Sequence, residues 1–221
     1  MTQSVLRLLQ SLKLVVKAEF TSPWGICDLV GLQFNKCHVA HRLKLGQTRS
    51  ISSIMRAALL LRVPDIESNN SITLKQLARE CSPAIQSERV SKEVTRLVED
   101  GFVVCQNGEQ LQKVNGWMPL QERFIAVELK LKRVEEALTQ AENNFGFADE
   151  SFVALPEDLA LRIAAKTKRR GDFERLGVGL ISVTAKCASI IIPSHRPDCE
   201  KTSAVQLYSV EKFWQAAIRG S

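Results

Sequence analysis

Residues 125–134 read IAVELKLKRV, and their alternation decides the fold. Ile125, Val127, Leu129 and Leu131 fall on one face of an extended chain, and Ala126, Glu128, Lys130 and Lys132 on the other. A strand is therefore predicted in which Glu128 and Lys130 point the same way. Upstream, 26–34 (ICDLVGLQF) reads as a second strand, apolar at most positions and interrupted by Asp28. A carboxylate inside a half-buried strand is costly unless it has a partner or a metal. Taken by itself, Asp28 equally suits the wet face of an edge strand. Downstream, 134–145 (VEEALTQAENNF) predicts a helix burying Val134, Ala137, Leu138 and Ala141. A short strand follows at 151–155, and Pro156 opens one helix over 157–171 (EDLALRIAAKTKRRG). Strands at 177–183 and 189–192, a polar loop at 198–203 and a helix at 210–219 complete the pattern. The first twenty residues read as one amphipathic helix. The class is α/β, a mixed sheet flanked by helices.

Between Asp28 and Glu128 the texture differs. Residues 36–50 (KCHVAHRLKLGQTRS) are basic and irregular. Helices are predicted at 52–62, at 73–81 with Thr73 as N-cap, and at 87–100, where Val90, Val94, Leu97 and Val98 share a face. Residues 102–114 (FVVCQNGEQLQKV) read as a hairpin turning at Asn107-Gly108. The texture changes back at Gly116-Trp117. Helix, helix, longer helix and hairpin resemble a winged helix-turn-helix module over about 52–116. In such a module the third helix enters the major groove. Arg89, Lys92 and Arg96, spaced by three and four, would then face DNA. Glu88, Glu93 and Glu99 interleave them, so a solvated face or a protein-binding module is the alternative.

Composition sets outer bounds. The 221 residues are 45% hydrophobic and 24% charged, with a net charge of +6, mild support for a polyanionic partner. No apolar run reaches the ~20 residues of a bilayer span. Arg7, Lys13 and Lys17 and the lack of a small-residue cleavage site make the N-terminus a poor signal peptide. Cys27, Cys37, Cys81, Cys105, Cys187 and Cys199 form no CxxC pair, and His38, His41 and His195 complete no zinc pattern. Reduced thiols in a cytoplasmic protein are expected. A Cys37/His38/His41 metal site lacks a matching second half.

If the Asp28 strand lies beside the Glu128 strand, the two carboxylates can hold Mg²⁺ between them. The carbonyl between Glu128 and Lys130 would offer a third oxygen. The Lys130 ammonium would orient water or stabilise charge on an attacked phosphate. The basic run 166–170 (KTKRR) either lines a DNA path or is a solvated helix end favoured by the dipole.

The ordered set of Asp28, the E-x-K of Glu128-Leu129-Lys130, the following helix LTQAENNFG and the strand FVALP resembles the PD-(D/E)XK nuclease superfamily. The resemblance implies a restriction-endonuclease-like core over 1–47 and 118–221, with an inserted winged-helix domain over 48–117. Asp28 and Glu128 would ligate Mg²⁺ or Mn²⁺, and Lys130 would be catalytic. Glu19, near the end of the first helix, matches an accessory acidic position, and Gln140 matches a glutamine on the helix after the E-x-K strand. Cys27 stands where some members carry proline. The implied function is metal-dependent hydrolysis of DNA phosphodiesters, with Arg89, Lys92, Arg96, Lys168, Arg169 and Arg170 as DNA contacts. A duplex cutter often needs two centres, which makes a homodimer one expected assembly. The alternative is an inactive DNA-binding regulator or interaction subunit on the same fold.

Overall fold

The strand expected over 125–134 lies inside a mixed sheet, flanked on both sides, but it ends at Leu129: Lys130–Arg133 leave it and Val134 already opens a helix. A computed structural model describes residues 1–114, 118–195 and 203–219. The chain begins with helix α1 (Thr2–Ser11), strand β1 (Val15–Ser22) and strand β2 (Gly25–Phe34). It continues through α2 (Lys36–Lys44), α3 (Ile54–Arg62), β3 (Ile72–Thr73), α4 (Leu74–Cys81), α5 (Ser87–Glu99), β4 (Val103–Gln106) and β5 (Gln110–Lys113). Then come β6 (Gln121–Leu129), α6 (Val134–Asn144), β7 (Glu150–Pro156), α7 (Glu157–Ala165) and α8 (Thr167–Leu176). Strands β8 (Gly179–Val183) and β9 (Ala188–Ile192) and helix α9 (Ala204–Arg219) close the chain.

Two compact units result, one from Met1–Phe34 with Gln121–Lys201, the other from Asn35–Leu120 with Thr202–Ser221. In the first, six strands run in the order β1-β2-β6-β7-β8-β9. The β6–β7 and β7–β8 pairs are parallel and the others antiparallel. Parallel neighbours need a crossover, which α6 supplies between β6 and β7, and α7 with α8 between β7 and β8. Alternate residues serve the two faces. Ile125, Val127, Phe152 and Ala154 pack with Val5 and Leu9 of α1. Val153 and Leu155 pack with Ala137, Leu138 and Ala141 of α6 and with Ile163 of α7. Because both faces are covered, Phe124 to Glu128 are all buried, which hides the polar face that alternation predicted.

The N-terminal segment departs from the single helix expected. Lys13 takes φ 61°, a left-handed conformation that stops α1, and Val15–Ser22 pairs in register with β2. The β-branched Val15 and Val16 suit that strand. The 157–171 helix is likewise two helices, broken at Lys166 with φ −94° and ψ 109°. The basic run therefore opens α8 instead of ending α7, where the helix dipole disfavours cations.

In the second unit, residues 36–44 are helical, not irregular, because the Asn35 side chain accepts the His38 N–H and caps α2. Elements α3, β3, α4, α5, β4 and β5 follow, with a three-stranded sheet in the order β3-β5-β4. Thr73 and Gln76 form a reciprocal capping box that starts α4. Leu59, Leu60, Leu77, Val90, Val94, Leu97 and Phe102 build the core. This unit is larger than the 48–117 span expected, for it also takes in α2 and α9. Arg42 of α2 is 2% exposed and paired with the fully buried Glu211 of α9, one bond measuring 2.8 Å. Its guanidinium also lies 4.2 Å from the Trp214 ring centre. Gly116-Trp117, Cys199 and most of the loop expected at 198–203 lie outside the described residues.

Candidate active site

Asp28 and Glu128 come from neighbouring strands, β2 and β6. The ladder joining these strands ends at Leu29↔Val127, so the two acidic residues occupy the next position on each side. There the Asp28 carboxylate accepts the Leu129 N–H at 2.7 Å, a donor that no strand partner takes up. A side chain thus replaces a ladder bond where the backbones part. On its other edge, β2 pairs with β1 through Ala18↔Leu29 and Phe20↔Cys27, which sets Glu19 opposite Asp28. Glu19 has φ 52°, rare for a residue with a side chain, and the ladder skips this pair. Glu19 therefore lies in β1, not at the end of a helix, and it is exposed. Glu19, Asp28 and Glu128 stand side by side on three neighbouring strands.

Glu128 is 2% exposed and lies under α6, where the Asn144 amide donates to its Oε1 at 2.9 Å. Burial raises its pKa. The Asn144 hydrogen bond opposes that rise, the Asp28 carboxylate adds to it, and Lys130 again opposes it. Lys130 follows the end of β6, and its N–H continues the pairing with β7 by bonding Ala154 O at 3.1 Å. Gln140 lies one helical turn before Asn144, and its buried Oε1 has no hydrogen-bond partner. Cys27 is 1% exposed, and its thiol bonds Leu29 O at 3.3 Å. Burial first, and the Glu128 charge second, push this thiol far above the ordinary cysteine range, so it stays protonated and inert. The sequence reading overlooked Cys27 and Asn144 as site residues. The i, i+4 spacing of Gln140 and Asn144 is the signal that could have found the second.

The Asp28 and Glu128 carboxylates are hard oxygen donors, the ligand type that Mg²⁺ and Mn²⁺ take. Among the described residues no group of three or more His, Cys, Asp or Glu is spaced to hold a metal ion. His38 bonds Pro119 O at 2.7 Å and Cys37 is exposed, an arrangement that serves α2 and its neighbouring loop.

The basic residues divide by surroundings. Arg89 and Lys92 are exposed on α5. Arg96 bonds Glu93 at 2.9 Å, and Glu93 holds Arg56 at 2.8 Å, so Arg96 belongs to an ion network. On α8, Lys168 is exposed, Arg169 pairs with Glu135 and Arg170 with Glu174 at 2.7 Å. Exposed pairs of this kind contribute little to stability. Among the described residues no helix is long and apolar enough to cross a membrane.

No family model and no curated protein matches the chain. Among solved structures, a protein of unknown function from Silicibacter pomeroyi, SPO1766, is similar at 17% identity and a TM-score of 0.31, over 48% of this chain and 69% of that one.

Proposed function

We propose that the first unit is a metal-dependent nuclease core of the PD-(D/E)XK kind and the second a winged-helix module that positions DNA. The observation that carries this reading is the placement of Asp28 and Glu128 at the shared end of the β2–β6 ladder, with Lys130 two residues after Glu128. Asp28 and Glu128 would hold Mg²⁺ or Mn²⁺, with the Leu129 carbonyl as a further oxygen. The ion supplies Lewis acidity and neutralises phosphoryl charge when bound. Asn144 and the Leu129 N–H orient the two carboxylates from behind. The Lys130 ammonium offsets negative charge on the attacked phosphate as water adds to phosphorus and the bridging P–O bond breaks. Gln140 and Glu19 flank the centre, Gln140 with a buried oxygen able to accept from water.

In the second unit, the order α3-β3-α4-α5-β4-β5 and the sheet order β3-β5-β4 support the winged-helix reading. Helix α5 would present Arg89 and Lys92 to DNA, with Arg96 behind them and Lys168, Arg169 and Arg170 as a separate basic segment on α8. A second reading, a DNA-binding subunit without catalysis, is favoured by the hydrogen bonds that Asp28 and Glu128 already make within the protein.

One assay separates the two. Glu128→Ala or Lys130→Ala should abolish Mg²⁺-dependent DNA cleavage while DNA binding persists. Equal cleavage by the parent and both variants refutes the enzyme reading. Binding without any cleavage by the parent favours the regulator.

A further inference from the structure

Trp24 caps the turn between β1 and β2, and it is 52% exposed; Ile26, two residues on, is 64% exposed. Both therefore leave much apolar surface open to solvent at this hairpin tip. The indole is nonetheless fixed. Its outer edge lies on Gly146, just past α6, and a methyl group there would run into the ring. The ring is therefore held in place by bare backbone on one side while half its surface stays open to solvent. Ser22 braces the turn, its hydroxyl accepting the Trp24 N–H at 3.2 Å and donating to Gly25 O at 3.1 Å. A fixed, half-exposed ring has little freedom left to lose, which favours binding of a flat partner.

The ring's location identifies that partner. Trp24 precedes Asp28 by four residues in sequence, so the two backbone positions are separated by no more than about 13 Å. Gly146, which carries the ring, follows Asn144, the donor to Glu128, by two residues. One short segment at the end of α6 thus supports both the carboxylate and the indole. At the same end of the sheet, where β2 begins and β6 ends, the chain leaves β6 as Lys130-Leu131-Lys132-Arg133, with Arg133 80% exposed. A strand whose phosphate lies at the acidic row, drawn by these cations, would bring a base to Trp24.

We propose that Trp24 is a stacking platform for an unpaired base, so that the centre takes single-stranded or locally opened nucleic acid in preference to continuous duplex. This rests on the nuclease reading of the Asp28–Glu128 centre. Every base has a π-face, so stacking on Trp24 recognises unpaired bases without selecting sequence. In a duplex both faces of each base are covered by neighbours, and the ring finds no partner.

The test uses the full chain in EDTA, so that binding is read without cleavage. A twelve-nucleotide oligothymidylate should quench tryptophan emission, and the matching duplex with oligoadenylate should not. Trp24→Ala should abolish the quench and weaken oligothymidylate binding roughly 5- to 150-fold, the range of one aromatic–base stack. Gly146→Ala, which displaces the ring without removing it, should weaken binding in the same direction. Equal affinity of parent and Trp24→Ala for oligothymidylate refutes the platform. So does a sedimentation change in Trp24→Ala alone, which assigns the patch to a second copy of the chain. Cleavage is scored separately with Mg²⁺: stacking without cleavage refutes only the nuclease centre, and cleavage indifferent to Trp24 refutes only the platform.

Discussion

Replacing Glu128 with glutamine should stabilise the protein without metal and abolish its stabilisation by metal. The side chain is 2% exposed and sits beside Asp28, so ionising it in the folded state is unfavourable. Its pKa is raised by folding, chiefly by burial. Below the ordinary carboxylate range both states carry the proton and the group is neutral to stability. As pH rises, the unfolded chain releases its proton first, and stability is lost until the folded-state pKa is passed. Glutamine keeps the oxygen that accepts from Asn144 but never ionises. The gap between variant and parent should therefore open as pH rises through the ordinary carboxylate range, near pH 4, and widen above it. Each tenfold change in the acid constant corresponds to ~1.4 kcal/mol. For a chain of this size that is about 3–5 °C in melting temperature. Adding Mg²⁺ should reverse the order. At a hundredfold excess over its dissociation constant, an ion stabilises its site by about 2.7 kcal/mol, or about 5–11 °C. The parent should gain this and Glu128→Gln should not. Differential scanning fluorimetry over pH, in EDTA and in Mg²⁺, reads both effects. A variant less stable than the parent in EDTA at pH 7, or one with the parent's full Mg²⁺ response, refutes the reasoning.

Two further outcomes concern the second unit. Arg42→Met should cost about 3–5 kcal/mol, because Glu211 is left buried and charged without its partner; adding Glu211→Leu should restore much of that, as urea midpoints will show. A double variant no more stable than the single one would mean that packing around Trp214, not charge, dominates the site. Arg89→Ala with Lys92→Ala should lower DNA affinity and reduce the slope of log K against log salt by about 2, one unit for each phosphate no longer neutralised. An unchanged slope removes α5 from the interface.

Much of the fold could be read from local pattern. The strand around Glu128, the helix carrying Gln140 and the capped start of α4 follow from periodicity and from hydrogen bonds made within a few residues. The N-terminal segment could not be read this way. Residues 15–20 have apolar positions that suit a helix, and only pairing with β2 makes them a strand. The Lys166 break and the capped helix α2 were likewise invisible to a reading based on apolar spacing. At the site, residue types and chain order suggested Asp28, Glu128 and Lys130. Asn144 and Cys27 belong to the site only because α6 packs over that end of the sheet.

Local sequence set the element types where a segment's own residues decide them, and it supplied two carboxylates on strands of unknown neighbourhood and a lysine just beyond one of them. The tertiary structure decided that β2 lies beside β6, in a register that brings Asp28 and Glu128 together at the end of their ladder. It also decided that Arg42 meets Glu211, far along the chain. The physical reason is the same in both cases. Alternation reports which side of a strand faces a core, whereas register and partner choice depend on hydrogen bonds between segments whose separation leaves no trace in local sequence.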